Sequence, residues 1–313
     1  MSAFSFSKKP VKVPLVKTKN RSIQTPVPSP GTEGILENLS NYESRSMQGT
    51  VPLVWEKAQG FNVFDHAGNQ WIDFTSAIFI ANIGHSNPRF IKAIREVLDN
   101  NLVHHFTYPS QIKARYYEKL VRFTDGEFDK AFLLSGGTEA TEAALKLMRM
   151  NGQRTRKKRL GIISMEGSFH GRTLGAQLLG GIKPQKEWIG FEDQGVFHIR
   201  CPYPWVLDKG TSPEEFLENE LKKLEDEGIC LGTDICGAIF ETFQGWASFF
   251  YPKSFMKAME AFCRKNKILL TIDEVQSGFA RTGVKFGYQH YDIHPDLICC
   301  GKGMGSGVAL SGV

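Results

Sequence analysis

No uninterrupted apolar run in the 313-residue chain approaches the ~18–20 residues that a membrane-spanning helix requires, so no membrane partner is expected. A C-x-x-C pair is also missing. The six cysteines, Cys201, Cys230, Cys236, Cys263, Cys299 and Cys300, show no repeated metal-ligand spacing. This argues against a metal site and for reduced thiols in a cytoplasmic protein, with import into an organelle left open. Most of the chain lacks an excess of either charge. The net +5 arises at one end, where residues 1–30 carry Lys8, Lys9, Lys12, Lys17, Lys19 and Arg21 and no acid. The other 32 basic and 33 acidic residues leave positions 31–313 at −1. A basic groove tracking phosphates, and with it a nucleic-acid partner, is therefore not expected. The basic segment has no signal-peptide apolar core, and Pro10 and Pro14 interrupt any amphipathic transit helix.

With 41% hydrophobic and 23% charged residues, the chain has enough apolar material for one large domain or two, and disorder throughout is excluded. Residues 1–34 are rich in Lys, Ser and Pro and predict a disordered leader, or a segment that folds only against a partner subunit. Within 51–75, Val63-Phe64 and Gln70-Trp71-Ile72-Asp73-Phe74 flank a turn centred on Gly68 and predict an antiparallel hairpin at a sheet edge. Beyond residue 85 short apolar runs, 131–134, 160–163, 237–240, 268–272 and 297–300, alternate with amphipathic helices such as 139–150 and 253–265. This predicts an α/β fold, a mostly parallel sheet flanked by helices. Open sheets of that kind bind ligands beyond the carboxyl ends of their strands.

Polar motifs follow the predicted strands. After Leu134 comes Ser135-Gly136-Gly137-Thr138-Glu139 at a helix start, where free N–H groups and the helix dipole favour an anion; a phosphate cradle and a simple capped turn fit it equally. After Ile163 comes Gly167-Ser168-Phe169-His170-Gly171, an aromatic and an imidazole that suit a flat ring but on their own read more readily as core and loop. Asp273 ends an apolar strand and leads into Glu274-Val275-Gln276-Ser277-Gly278; a buried acid there needs a cationic partner, either Arg281 or a ligand's protonated nitrogen. Lys302 stands between Gly301 and Gly303 at the same sheet end, where partial desolvation lowers the pKa of an amine and makes it nucleophilic. A Walker-A loop is excluded, because its first glycine would fall on Asp296 and its Ser or Thr on Gly303. Together the motifs supply an anion cradle, an aromatic platform, an acid for a ring nitrogen and a nucleophilic amine, the set that pyridoxal 5'-phosphate requires.

The segment Leu269–Gly303, with Ile-Asp-Glu-Val-Gln-Ser-Gly-Phe-Ala-Arg-Thr-Gly, then His-Pro-Asp-Leu, then Gly-Lys-Gly, resembles the class III pyridoxal-phosphate-dependent aminotransferases, the group that includes 4-aminobutyrate, ornithine and acetylornithine aminotransferases. The resemblance extends over about Pro52–Val313. It implies fold type I, with 35–85 as the N-terminal part of a smaller α+β domain and 86–313 as the large cofactor-binding domain. It implies that Lys302 carries the cofactor as a Schiff base, that Asp273 pairs with the ring nitrogen, and that Val275 and Phe169 flank the ring, with His170 beside it. Gln276 would bond the ring hydroxyl, Gly136, Gly137 and Thr138 the phosphate, and Glu241 would lie near cofactor and substrate. Ser76, Ile78 and Phe79 would line the substrate entrance.

Two features depart from the family pattern. Glu241-Thr242-Phe243-Gln244-Gly245-Trp246-Ala247 places Trp246 where members acting on ω-amino acids usually carry a glutamate, which points to a different or more apolar donor. The sequence also stops eleven residues beyond Lys302, so the C-terminal part of the small domain, with the family's substrate-carboxylate arginine, is expected to be absent. The activity implied is transfer of an amino group from an amine or ω-amino acid to an α-keto acid by a ping-pong mechanism, in a homodimer. A lyase or aminomutase of the same family, and an inactive truncated homologue, are the alternatives.

Overall fold

The computed structural model describes residues 7–44, 51–101, 107–207 and 210–313, and the chain divides into two compact units, Met1–His105 and Phe106–Val313. Residues 1–6 of the expected leader lie outside the described residues.

The first unit contains β1 (Val16–Lys17), β2 (Ser22–Ile23), α1 (Glu33–Tyr42), β3 (Trp55–Gln59), β4 (Asn62–Asp65), β5 (Gln70–Ile72), the single turn α2 (Ser76–Phe79) and α3 (Pro88–Asp99). Its five strands form a sheet in the order β1-β2-β5-β4-β3, with every pairing antiparallel. The expected hairpin is present as β4 and β5, but inside the sheet and not at its edge. Residues 7–34 are ordered where a disordered leader was expected. Ser22 pairs with Gln70, and Ile23, Ser29 and Thr32 are buried. The cause is the Asp65 side chain, whose buried carboxylate accepts from Ser29 Oγ (2.8 Å), Asn69 N (2.9 Å), Asn69 Nδ2 (2.8 Å) and Trp71 Nε1 (3.1 Å). Asn69 in turn accepts from the Gln24 amide at 2.8 Å. A buried carboxylate so provided with donors fixes the chain that supplies them. The unit boundary accordingly falls after His105 and not at the expected 85/86.

The second unit contains α4 (Gln111–Phe123), β6 (Leu133–Leu134), α5 (Gly137–Arg154), β7 (Gly161–Met165), α6 (Leu174–Leu179), β8 (Val196–Ile199), α7 (Pro213–Asp226), α8 (Leu231–Asp234), β9 (Ile235–Glu241), β10 (Phe243–Gln244), β11 (Phe249–Phe250), α9 (Lys253–Asn266), β12 (Leu269–Asp273), β13 (Leu297–Cys299) and β14 (Ser311–Gly312). The main sheet runs β13-β12-β9-β7-β8 and all its pairings are parallel. Every residue of β7 and β9 is buried, which is why these strands read as continuous apolar runs. One face is covered by a core with Met165, Phe240, Phe255, Met259, Leu270 and Ile272; the other by Leu145, Met148 and Leu179 packed on Ile162 and Ile239. The run 131–134 departs from the expected parallel arrangement: β6 pairs antiparallel with β14, outside the main sheet.

Candidate active site

The carboxyl ends of the parallel strands deliver the polar residues to one place. A cavity of about 330 Å³ is lined by Gly137, Thr138, Phe169, His170, Gly171, Arg172, Glu241, Phe243, Asp273, Val275, Gln276, Ser277 and Lys302. Of the residues expected to hold a cofactor, all but Gly136 line it.

The floor is anionic by construction. Register places Asp273, at the end of β12, beside Glu241, at the end of β9. Both side chains are buried. Asp273 Oδ1 accepts from the Val275 amide at 3.0 Å and Oδ2 from His170 Nδ1 at 2.8 Å. Glu241 accepts from the amides of Phe169 (3.1 Å) and Gly245 (3.3 Å), yet burial, opposed by His170 and reinforced by Asp273, pushes its pKa up to about 7. Lys302 follows β13 with a left-handed φ of 43°. Burial lowers the pKa of its amine, although Asp273 and Glu241 both pull it up.

The opposite wall is the start of α5. Helix geometry leaves the first amides, those of Gly137 and Thr138, without intrahelical partners. Gly136 does not share in this: its amide, with that of Ser135, is taken by the Glu139 carboxylate (2.7 and 3.1 Å). The Thr138 hydroxyl accepts from the amides of Arg172 (3.2 Å) and Thr173 (3.3 Å), which ties the loop after β7 to the helix start. Val275 is pressed between two glycines. A β-carbon on Gly137 would lie 2.6 Å from its Cγ1, and one on Gly301 3.2 Å from the same atom.

Of the expected substrate residues, the one in the same unit, Trp246, does not line this cavity. Trp246 stands in the turn between β10 and β11, 65% exposed and outside the cavity lining. Phe243, one residue into β10, lines the cavity in its place and stacks on Phe250 with ring centroids 5.0 Å apart. Ser76, Ile78 and Phe79 belong to the first unit, in α2, where Ser76, Ala77, Ile78 and Phe79 all have positive φ. The sequence reasoning passed over Phe243, Arg172 and Ser277. Phe243 carried no signal in the sequence, because Thr242 is a bend between β9 and β10 and it is the pairing with β11 that places Phe243.

A nucleophilic amine facing two buried carboxylates, below a helix start with open amides, at the carboxyl end of an open parallel sheet, defines an enzyme site of the kind that holds a phosphorylated carbonyl cofactor. Residues 43–313 match the aminotransferase class-III family, and the chain belongs to it. Over 267 residues it is 33% identical to a probable 4-aminobutyrate aminotransferase of Bacillus subtilis, covering 82% of this chain and 59% of that protein. It is 30% identical to the acetylornithine aminotransferase of Aquifex aeolicus, covering 84% and 65%. The fold matches the taurine:2-oxoglutarate aminotransferase of Bifidobacterium kashiwanohense, solved with PLP and glutamate, with a TM-score of 0.80, 28% identity and coverage of 90% of this chain and 64% of that one. The chain thus spans about three fifths to two thirds of the length of these proteins. Pyridoxal phosphate is the cofactor of the family, and the cavity's residues fit it: the Gly137–Val275 contact leaves no room for a side chain at Gly137, and an amine, a carboxylate and open helix amides face the same space.

Proposed function

We propose that the protein is a pyridoxal-phosphate-dependent transaminase, moving an amino group from an amine or ω-amino acid donor to an α-keto acid, and that it works as a homodimer in the cytoplasm. The observation that carries the reading is the convergence of Lys302, Asp273 and Glu241 in one cavity with the start of α5. The six cysteines, none of them in a disulfide, support the compartment, and membership of the family supports the dimer.

When bound, the cofactor supplies a carbonyl for the donor amine and a protonated ring that withdraws electrons. The chain's own residues do the rest. The amides of Gly137 and Thr138 would hold the phosphate, Val275 and Phe169 the ring faces, and Gln276 the ring hydroxyl. Asp273, oriented by His170 and the Val275 amide, would keep the ring nitrogen protonated. Lys302 would hold the carbonyl carbon and then, once free, move a proton at Nζ, a task suited to an amine whose pKa burial has lowered. Glu241, titrating near neutrality beside it, would accept or release a proton at the same side of the cavity.

The test is optical and chemical. Adding pyridoxal phosphate to the purified chain is expected to give an absorbance band displaced from that of the free cofactor and lost in Lys302→Ala. A screen of amine donors with pyruvate and 2-oxoglutarate is then expected to yield the corresponding amino acid. An unshifted cofactor spectrum in the unsubstituted protein, or the same shift in Lys302→Ala, would refute the reading.

A further inference from the structure

Glu274 is fully buried, one residue beyond Asp273, yet it does not line the cavity. Strand alternation turns it to the opposite side from Asp273. Its carboxylate gathers three donors. Oε2 accepts from Ser277 Oγ at 2.7 Å and from the Gly287 amide at 2.8 Å, and Oε1 accepts from the Tyr288 amide at 2.8 Å. The main chain of the same residue is fixed at both ends: its amide donates to Cys299 O (2.8 Å) and its carbonyl accepts from the Gly278 amide (2.9 Å). Glu274 therefore ties the turn 273–278, which carries Asp273, Val275, Gln276 and Ser277 of the cavity wall, to the 3-10 segment Gly287–Tyr291. That segment reaches the neighbouring strand end as well, because the Tyr291 hydroxyl donates to Thr242 O, next to Glu241. The contact is tight: a β-carbon on Gly287 would lie 2.5 Å from Thr242 Oγ1.

We propose that Glu274 is a positioning residue for the cofactor ring: its three buried hydrogen bonds set the Asp273 carboxylate and the Val275 side chain relative to the floor at Glu241. The proposal rests on the cofactor reading above. The hydrogen bonds of Glu274 do not reach Gly137, Thr138 or α5, and the turn touches the phosphate cradle only through the packing of Val275 on Gly137. Ring affinity and phosphate affinity should therefore separate. A charge-assisted bond carries about an order of magnitude in an equilibrium, and the amide of Glu274→Gln can accept at only one of its two positions.

The experiment titrates the full chain and its Glu274→Gln variant with pyridoxal phosphate and, separately, with inorganic phosphate, and follows amide hydrogen exchange in the cofactor-free proteins. The expected result is a dissociation constant for pyridoxal phosphate raised about tenfold or more, one for inorganic phosphate changed less than about twofold, and faster exchange confined to 274–278 and 287–291. Parallel weakening of both ligands would make Glu274 a general fold residue and overturn the proposal, as would an unchanged affinity for pyridoxal phosphate. If the unsubstituted chain takes up no pyridoxal phosphate, the cofactor reading fails by itself, and unaltered exchange in Glu274→Gln would then sink the positioning role. Should Glu274→Gln not fold, Ser277→Ala removes one of the three donors and is expected to shift the same two measurements in the same directions by a smaller factor.

Discussion

A methyl group on Gly137 tests how closely the helix start and the turn after β12 must approach. The added carbon would lie 2.6 Å from Val275 Cγ1 and 3.2 Å from Cγ2, against an ordinary carbon–carbon contact of about 3.5–4.0 Å. Forced overlap of this kind costs about 1–3 kcal/mol, and the better helix propensity of alanine returns less than about 1 kcal/mol at a first-turn position. Gly137→Ala should therefore destabilise by about 1–2 kcal/mol. Val275→Ala, at a partly buried site, should lose about 1 kcal/mol. The decisive variant combines them. With the Val275 methyls gone, the nearest remaining atom is Cβ at 3.5 Å, an ordinary contact, so the double variant should be more stable than the sum of the single changes predicts by about 1–2 kcal/mol. Gly136→Ala is the control: its backbone is extended (φ −122°) and its nearest neighbour, a Glu139 carboxylate oxygen, is 3.5 Å away. It should change stability by less than about 0.5 kcal/mol. Urea unfolding with linear extrapolation compares the four variants with the unsubstituted protein. Additive single and double variants, or a Gly137→Ala protein as stable as the unsubstituted one, would refute the close approach.

Two further outcomes are expected. The Glu241 carboxyl is raised from 4.5 to about 7, so the folded state binds more protons than the unfolded one between those values, and its contribution to stability falls as pH rises through that window. Glu241→Gln should flatten the decline by about 1–3 kcal/mol between pH 4.5 and 7; an unchanged slope of unfolding free energy against pH would contradict it. In α2, Ala77 sits at φ 51°, ψ 47°, where a side chain costs about 1–2 kcal/mol and glycine does not. After the larger unfolded-state entropy of glycine, Ala77→Gly should stabilise by about 0.5–1 kcal/mol in thermal unfolding, and a lowered midpoint would count against the left-handed turn.

The parts of the fold that were readable in the sequence are those governed by local pattern. β7, β9 and β12 are buried on both faces and announce themselves as apolar runs; α5 was read from Ala140, Ala143, Ala144 and Leu147, of which Ala140 and Ala144 are buried while Leu147 is exposed and Leu145 and Met148 take its place. Asp273 was legible because an apolar run passes directly into it, Lys302 because it stands between two glycines just beyond another run, and Glu241 through the family resemblance alone. What stayed hidden depends on distant partners. β1 and β2 have two residues each; β1 pairs with β2, and β2 is held to the sheet by residues far along the chain, Ser22 with Gln70. β6 reads like its neighbours, but its partner is β14, more than 170 residues away. Trp246 was conspicuous by residue type and lies outside the cavity, whereas Phe243, an ordinary aromatic, is brought in by the hairpin that pairs it with Phe250.

The electrostatics of the floor give these placements a common cause. Parallel register sets Glu241 beside Asp273, and chain continuity adds Glu274 behind them, so three carboxylates crowd two adjacent strand ends. Against them stand the imidazole of His170 and the amine of Lys302, whose own charge burial disfavours. Backbone amides relieve part of the imbalance at Glu241 and Asp273, and the cross-braces to Gly287 and Tyr288 relieve it at Glu274. Both glutamates are raised to about 7, chiefly by burial and further by the neighbouring Asp273. A ligand presenting a positive ring nitrogen at Asp273 would lower the energy of all three acids together. Its binding should therefore weaken as pH falls through the range near 7 in which Glu241 and Glu274 take up protons, because each proton gained removes part of the anionic field that favours the cation.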